Sequence, residues 1–221
     1  MLVVLTAGAA STDAMTYLGL GKVFPANMTG NTVLLAIGTA SGDYAHTIRS
    51  VVTLGGFITG AALAGVATGA RGTRTWTPAL RLVLLAELLV QLAVLGWWLT
   101  LPAKPSGAPQ LALLGMLGVT MGAQSGAVAR LPVGVSTTYI TGTWTAVSTW
   151  VAARLRPGTR PDRSQDVVLQ ATVLACYVAA AFGSGYLYEY AGPVDMVLPF
   201  AAVLVVSLTL ALRRPEPERE S

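Results

Sequence analysis

The sequence predicts an all-α integral membrane protein: six transmembrane helices plus two short broken or re-entrant half-helices, arranged as two inverted repeats. Three observations lead to this fold class: the composition, the lengths of the apolar runs, and a motif that occurs twice. Hydrophobic residues make up 53% of the 221 residues, charged residues only 11%, and the mean hydropathy is +0.63. A soluble domain carries about twice that share of charge. We therefore expect the lipid bilayer to surround most of the chain.

Six apolar runs approach the roughly 20 residues that a helix needs to cross a bilayer. The first run, Leu2 to Leu18, is short and contains Asp13. Its position suggests a signal peptide, but it lacks a basic start, so we interpret it as a retained span. The other five are Ile48 to Ala70, Ala79 to Leu101, Gln110 to Ala129, Val167 to Tyr188 and Val194 to Leu212. They predict one transmembrane domain over residues 1–212 and a disordered cytoplasmic tail over 213–221.

A Thr-Gly step opens two shorter apolar runs, at Thr29-Gly30 and again 112 residues later at Thr141-Gly142. Each run reaches only about 20 Å as a helix, whereas the hydrocarbon core is roughly 30 Å thick. We therefore predict two half-helices that enter the membrane and return, one in each repeat. The repeats cover about 1–101 and 108–212, and the two runs are Met28 to Ala40 and Ile140 to Ala153.

The positions of arginine and lysine distinguish two topologies. With six spans, the cytoplasmic segments hold 11 basic residues, and the outer segments hold 3, namely Lys22, Arg49 and Lys104. If both short runs cross completely, there are eight spans, and the better orientation gives 9 against 5. The positive-inside rule favours six spans with both termini in the cytoplasm. Eight spans stay an alternative, because Val133 to Ala153 is long enough to cross.

Several segments of the sequence together form a recognisable set of motifs. They are Gly8 with Asp13-Ala14, Leu18-Gly19-Leu20-Gly21, Val23-Phe24, Ala26-Asn27-Met28-Thr29-Gly30-Asn31, Gly122-Ala123-Gln124, and Thr137-Thr138 before Thr141-Gly142-Thr143. This set resembles the YoaK-like family of bacterial polytopic membrane proteins. The resemblance extends over nearly the whole chain, although Pro25 and Ser125-Gly126 depart from the family pattern. It implies a multi-pass protein of the bacterial cytoplasmic membrane and no particular substrate, since the family has no assigned activity.

The two Thr-Gly steps predict helix N-termini inside the membrane. Such an end offers free backbone N–H groups, a hydroxyl group and the positive end of a helix dipole, which suit a polar or anionic solute. Equally, the same groups suit a capping network that lets a broken helix pack, and the residues do not decide between these interpretations. The predicted solute-binding residues are Asn27, Thr29, Gly30, Asn31, Gln124, Thr138, Thr141, Gly142 and Thr143.

Asp13 and Glu87 are the acids that the sequence places at membrane depth. A carboxylate there must be paired, solvated or protonated, so both are candidates for proton coupling. Gln91 lies one turn after Glu87 on the same helix face. The alternative is that hydrogen bonds to helix ends or hydroxyl groups hold each acid. In the second repeat, Ser125 occupies the place of Asp13, and Gln124 precedes it.

Glycines four residues apart predict close helix packing within the bundle, with a homodimer face as the alternative. They are Gly56 with Gly60, Gly65 with Gly69, and Gly118, Gly122 and Gly126 in series. We interpret the tryptophans near span ends, Trp76, Trp97, Trp98 and Trp150, as interfacial anchors.

Other classes of site have little support in the sequence. Cys176 is the only cysteine and His46 the only histidine, so we expect neither a metal site nor a cofactor. Asp43 and His46 read as part of a solvated outer loop. The basic residues lie between spans, which argues against nucleic acid binding. The leading function is a transporter or channel for a small polar or anionic solute, with proton coupling as a further hypothesis, and not an enzyme. The alternatives are a membrane enzyme that uses Asp13 or Glu87, or a partner of another membrane complex.

Overall fold

The computed structural model describes residues 1–69, 77–102, 104–130, 140–155, 164–191 and 197–212. These residues form eight α-helices and no β-strand, so the all-helical prediction is confirmed for them. The tail at 213–221 lies outside the described residues. The helices are α1 (Leu2–Gly19), α2 (Met28–Ser41), α3 (Tyr44–Thr68), α4 (Pro78–Trp98), α5 (Ala108–Val128), α6 (Ile140–Arg154), α7 (Ser164–Ala191) and α8 (Val197–Leu212).

Capping residues set the helix starts. Asn27 accepts a hydrogen bond from the Gly30 N–H at the start of α2, and Thr77 does the same for Leu80 at the start of α4. Asp43 caps α3 by accepting from the His46 N–H, so this helix begins four residues before the predicted span. The prediction of a solvated loop at His46 is therefore wrong, because the cap extends α3 to include it.

Within the described parts of the chain, four helices are long and apolar enough to cross a bilayer: α3, α4, α5 and α7. The predicted spans at the two ends of the chain form shorter helices, α1 with 18 residues and α8 with 16. Short helices also form where the two half-helices are predicted, and α2 and α6 start at Met28 and Ile140, the residues expected from the Thr-Gly motif.

Helix α1 lies in the interior, and its contacts show in which direction the neighbouring helices run. Near its start, the Leu5 carbonyl accepts a hydrogen bond from Gln124 Nε2, and beyond its end the Leu20 carbonyl accepts one from Gln110 Nε2. Leu5 precedes Leu20 along the chain, whereas their partners come in the opposite order, Gln124 after Gln110. Helices α1 and α5 are therefore antiparallel. Helix α4 instead runs parallel to α1. Its residue Leu84 packs in one cluster with Leu5, and its last residue, Trp98, packs with Met15.

The segment between α1 and α2 returns alongside α1. The Thr16 hydroxyl donates to the Val23 carbonyl at 3.0 Å, and the Ala26 N–H donates to Asp13 Oδ1 at 2.7 Å. Asp13 precedes the end of α1 by six residues, which is about 9 Å along a helix. Helix α2 therefore starts beside the middle of α1 rather than at the level of its C-terminal end. Helix α3 then begins beyond that end, since Arg49, in its second turn, lies against Gly21.

Glycines hold α3 and α5 in backbone contact. A Cβ atom on Gly56 would lie 2.5 Å from the Gly115 carbonyl oxygen, and one on Gly118 would lie 2.6 Å from that of Thr53. A Cβ atom on Gly60 would overlap the Val119 backbone. The four-residue spacing thus serves packing inside the chain, as the sequence predicts for these glycines. The dimer face stays a prediction.

Contacts between α1 and α7 have counterparts between α5 and α3. The offset is 112 residues from α1 to α5 and 120 residues from α3 to α7. The side chain of Cys176 donates to the Val3 carbonyl, that of Ser184 donates to the Ser11 carbonyl, and Gly185 lies against Leu18. Under these offsets, the three pairs correspond to Gly56 with Gly115, Ala64 with Ala123, and Gly65 with Arg130. The first and third pairs are in contact, and Ala123 packs against the cluster that contains Ala64.

One predicted interfacial anchor is wrong. Trp98 is only 3% exposed and packs among Met15, Val94 and Leu114, because α4 ends beside the loop that follows α1. Trp97, one residue before, is exposed as an anchor would be. Trp76 lies outside the described residues.

Candidate functional site

Asp13 joins three parts of the fold. Its Oδ1 accepts the Ala26 N–H at 2.7 Å, and its Oδ2 accepts the Tyr177 hydroxyl at 3.1 Å. The carboxyl group thus connects α1 with the segment that enters α2 and with α7. Only 4% of Asp13 is exposed. Because hydrogen bonds to a carboxylate are roughly twice as strong as those between neutral groups, the charge on Asp13 affects how firmly all three parts are held.

Asn31 holds the same segment from the other side. Its Oδ1 accepts the Phe24 N–H at 2.9 Å, and its Nδ2 donates to the Phe24 carbonyl at 2.6 Å. Asn31 is fully buried, so it satisfies a backbone donor and acceptor that water does not reach. For Asn31 the structural interpretation, a capping network, describes the observed contacts.

The first turn of α2 is accessible. Asn27 and Thr29 are exposed, and Gly30 is partly exposed. The N–H groups of Met28 and Thr29 precede the first helical hydrogen bond, which runs from the Asn31 N–H to the Asn27 carbonyl. This turn therefore presents backbone donors, a hydroxyl group and an amide side by side, next to Asp13.

Glu87 and Gln91 form a second buried polar pair, on α4. Gln91 Nε2 donates to Glu87 Oε1 at 3.2 Å, and the two residues are 4% and 2% exposed respectively. Among the described residues, Glu87 Oε2 and Gln91 Oε1 have no hydrogen-bond partner. The neighbouring Leu84 and Leu88 pack against residues of α1, α5 and α8, so the pair faces the bundle interior. A second acid in such a place suits reversible protonation.

The candidate residues of the second half do not lie together at one place in the fold. Gln124 is fully buried on α5 and bonds to the Leu5 carbonyl, on the side of α1 near Glu87 rather than near Asp13. In the first turns of α6, Thr141 is exposed and Thr143 buried, and this helix packs on α7. Thr138 lies outside the described residues. The described contacts bring Asn27, Thr29, Gly30 and Asn31 together with Asp13, and they place Glu87 and Gln124 elsewhere.

Comparisons with known proteins identify the family of this chain. Residues 1–211 match the family described as "Protein of unknown function (DUF1275)". The chain is 30% identical over 218 residues to the UPF0700 transmembrane protein YoaK of Bacillus subtilis (strain 168), covering 95% of this chain and 93% of the relative. The chain belongs to the DUF1275 family. The resemblance noted in the sequence is thereby confirmed. No solved structure matches it.

In this DUF1275 protein, Tyr177 is the site residue that the sequence did not reveal. It lies 164 residues from Asp13, on another helix. The one available signal is the 120-residue offset between α3 and α7, under which Tyr177 corresponds to Phe57 as Asp13 corresponds to Ser125. The hydrogen-bonded pair Asp13 and Tyr177 therefore corresponds to Ser125 and Phe57, which lack the carboxyl group and the phenol.

The arrangement lends itself to binding and proton exchange. No group of three His, Cys, Asp or Glu side chains that could hold a metal ion occurs in the described parts of this DUF1275 protein. What it does contain is a carboxyl group whose hydrogen bonds span three chain segments, beside an accessible helix N-terminus. A solute bound at that N-terminus and a proton on Asp13 would act on the same segment.

Proposed function

We propose that the protein is a transporter or channel for a small polar or anionic solute in the bacterial cytoplasmic membrane, with both termini in the cytoplasm. One observation carries the proposal. The accessible first turn of α2 starts next to Asp13, about 9 Å along α1 from the C-terminal end of that helix and toward its middle. Polar backbone at membrane depth is stable only when it is buried in protein or lines a water-filled cavity. Because Asn27 and Thr29 are exposed, a water-filled cavity is the better fit.

The helix directions support six spans in two inverted repeats. Each repeat has four helices, and α1 and α5, the first of each, are antiparallel. Within the first repeat, α1 and α4 are parallel, which requires that the chain cross an odd number of times between them, so only one of α2 and α3 can cross. A re-entrant α2 meets this requirement, whereas eight full crossings would make α1 and α4 antiparallel. The matched contacts of α1–α7 and α5–α3 agree with such a repeat.

The topology predicts the side on which Lys104 lies. Six spans place it outside the cell, and eight spans in the better orientation place it in the cytoplasm. In a Cys176→Ala background, we expect Lys104→Cys to react with a membrane-impermeant maleimide in intact cells, and Arg154→Cys to react only after lysis. Protection of position 104 in intact cells, together with labelling after lysis, would overturn the six-span topology.

Protonation of Asp13 supplies a mechanism for coupling. A neutral carboxyl group accepts the Ala26 N–H and the Tyr177 hydroxyl less strongly than a carboxylate does. A proton on Asp13 would therefore loosen both the start of α2 and the contact of α1 with α7. The contact between α3 and α5, which is made by backbone atoms, contains no such group. We therefore assign the conformational change of the transport cycle to α1 and α7. We assign a second protonation step to Glu87.

Binding at α2 is tested with one threonine at each end of this helix. The purified protein is screened against a solute library for an increase in its unfolding temperature, and the affinity of each hit is measured. We expect Thr29→Val to weaken binding up to about tenfold, the effect of one lost hydrogen bond. Thr39→Val is the control, since Thr39 is equally exposed but at the far end of α2. Equal affinities in both variants for every stabilising solute would contradict binding at this turn.

A further inference from the structure

Three polar side chains on one face of α3 have buried atoms without partners. Within the described ranges, no hydrogen bond reaches His46 Nε2, Arg49 Nε or Ser50 Oγ. The residues are three and four positions apart, so they lie on the same side of the helix. Ser50 is fully buried, and His46 and Arg49 are half-buried. Buried polar groups without a hydrogen-bond partner are destabilising, so three of them within five residues of one helix are unusual.

The surroundings of this cluster carry positive charge. Arg49 lies against Gly21, where a Cβ atom would come within 2.8 Å of Arg49 Nε and 2.9 Å of Gln110 Nε2. Gly21 has a φ of +98°, so the chain can turn closely around the arginine. The next residue, Lys22, is exposed and adds a second cation. The cluster thus combines cations with hydrogen-bond donors.

The placement of Arg49 beside the end of α1 has a simple electrostatic cause, because a cation is favourable at a helix C-terminus. That cause supplies no partner for Arg49 Nε and does not concern His46 or Ser50. Asp43, the nearest acid along the chain, uses its Oδ1 to cap α3 through the His46 N–H. No acceptor among the described residues reaches these three groups, and an acceptor from outside would satisfy them.

We propose that His46, Arg49 and Ser50, with Lys22 beside them, form a binding site for an oxyanion of the phosphate type at the end of the bundle where α1 finishes. Arginine suits phosphate because its planar guanidinium presents several N–H donors, and serine and histidine add single donors. This site is separate from the first turn of α2 and does not depend on the proposed transport. Both inorganic phosphate and the phosphate of a lipid headgroup have the required chemistry.

The test measures the unfolding temperature of the full chain in neutral detergent at constant ionic strength. Inorganic phosphate is titrated against chloride in one arm, and monomeric short-chain phosphatidylglycerol is titrated in the other. We expect saturable stabilisation in at least one arm, with an affinity about tenfold weaker in Arg49→Gln. Stabilisation by phosphate identifies a soluble oxyanion, and stabilisation by the lipid alone identifies a headgroup.

Ser50→Ala and Asp43→Asn make the test independent of folding defects in Arg49→Gln. Ser50→Ala should raise the unfolding temperature without ligand, because an unpaired buried hydroxyl is removed, and should weaken the affinity for the probe. Asp43→Asn keeps the helix cap but removes a negative charge, so it should strengthen that affinity. Arg154→Gln, which removes an exposed cation from the end of α6, should leave it within about twofold. The site is refuted if neither probe stabilises the protein, or if Arg154→Gln weakens binding as much as Ser50→Ala does.

Discussion

Replacing Gly60 by alanine is expected to prevent stable folding. The added Cβ would overlap the Val119 backbone, and backbone atoms cannot move aside as a flexible side chain can. Overpacking a close contact costs about 1–3 kcal/mol and occasionally more. We expect the upper end of this range, since α3 and α5 must separate along a contact that also includes Gly56 and Gly122. The measurement is the fraction of monodisperse protein after extraction, together with its unfolding temperature.

Gly55→Ala is the matched control for this prediction. Gly55 lies on the same helix, and a Cβ there would meet no atom within 4 Å. Alanine at that position should be neutral or stabilising by about 0.5–1 kcal/mol, because it restricts the unfolded chain. Equal stability of the two variants would mean that α3 and α5 do not approach as closely as described.

Asp13→Asn should abolish solute uptake that is driven by a pH gradient while leaving solute counterflow largely intact. The amide has the shape of the protonated carboxyl group, and its oxygen can still accept the Ala26 N–H. It cannot exchange a proton, so the coupled step is lost and the exchange step is kept. The measurement uses proteoliposomes and a solute identified by thermal stabilisation. Removing a buried charge should not harm the fold, because it relieves a desolvation cost.

Two further variants are needed to interpret the uptake result for Asp13→Asn. Glu189→Gln removes an exposed acid from α7, and it should leave gradient-driven uptake unchanged. Glu87→Gln tests the second acid in the same assay. If uptake driven by the gradient survives in both Asp13→Asn and Glu87→Gln, these acids do not couple protons to transport. If Asp13→Asn fails to fold, Asp13 is a structural hydrogen-bond centre instead.

Much of the helical organisation could be predicted from local signals. The apolar runs predicted six helices close to their observed bounds, and the Thr-Gly motif predicted the starts of α2 and α6. The main exception was the start of α3, where the cap at Asp43 extended the helix beyond its apolar part. Part of the candidate site was also predictable, because Asp13 and the α2 residues belong to one stretch of sequence.

The partners of those residues were not predictable in the same way. Tyr177 reaches Asp13 only through the packing of α7 on α1, and a periodicity within either helix contains no information about that register. The same holds for Arg49 against Gly21, and for the burial of Trp98 beside the end of α1. Short-range patterns define a helix and its polar face, but they leave open which other helix covers that face.

The sequence by itself determined that the chain is a helical membrane protein of the DUF1275 family, where most of its helices approximately begin, and that a motif recurs after 112 residues. These properties follow from hydropathy, caps and spacing, which act within a few residues of one another. Only the tertiary structure decided that α1 and α5 are antiparallel, that α2 begins beside Asp13, and that His46, Arg49 and Ser50 share a face of α3 on which buried atoms have no partner among the described residues. Those facts depend on the packing of helices far apart in the chain, because each hydrogen bond or glycine contact requires one particular register between them.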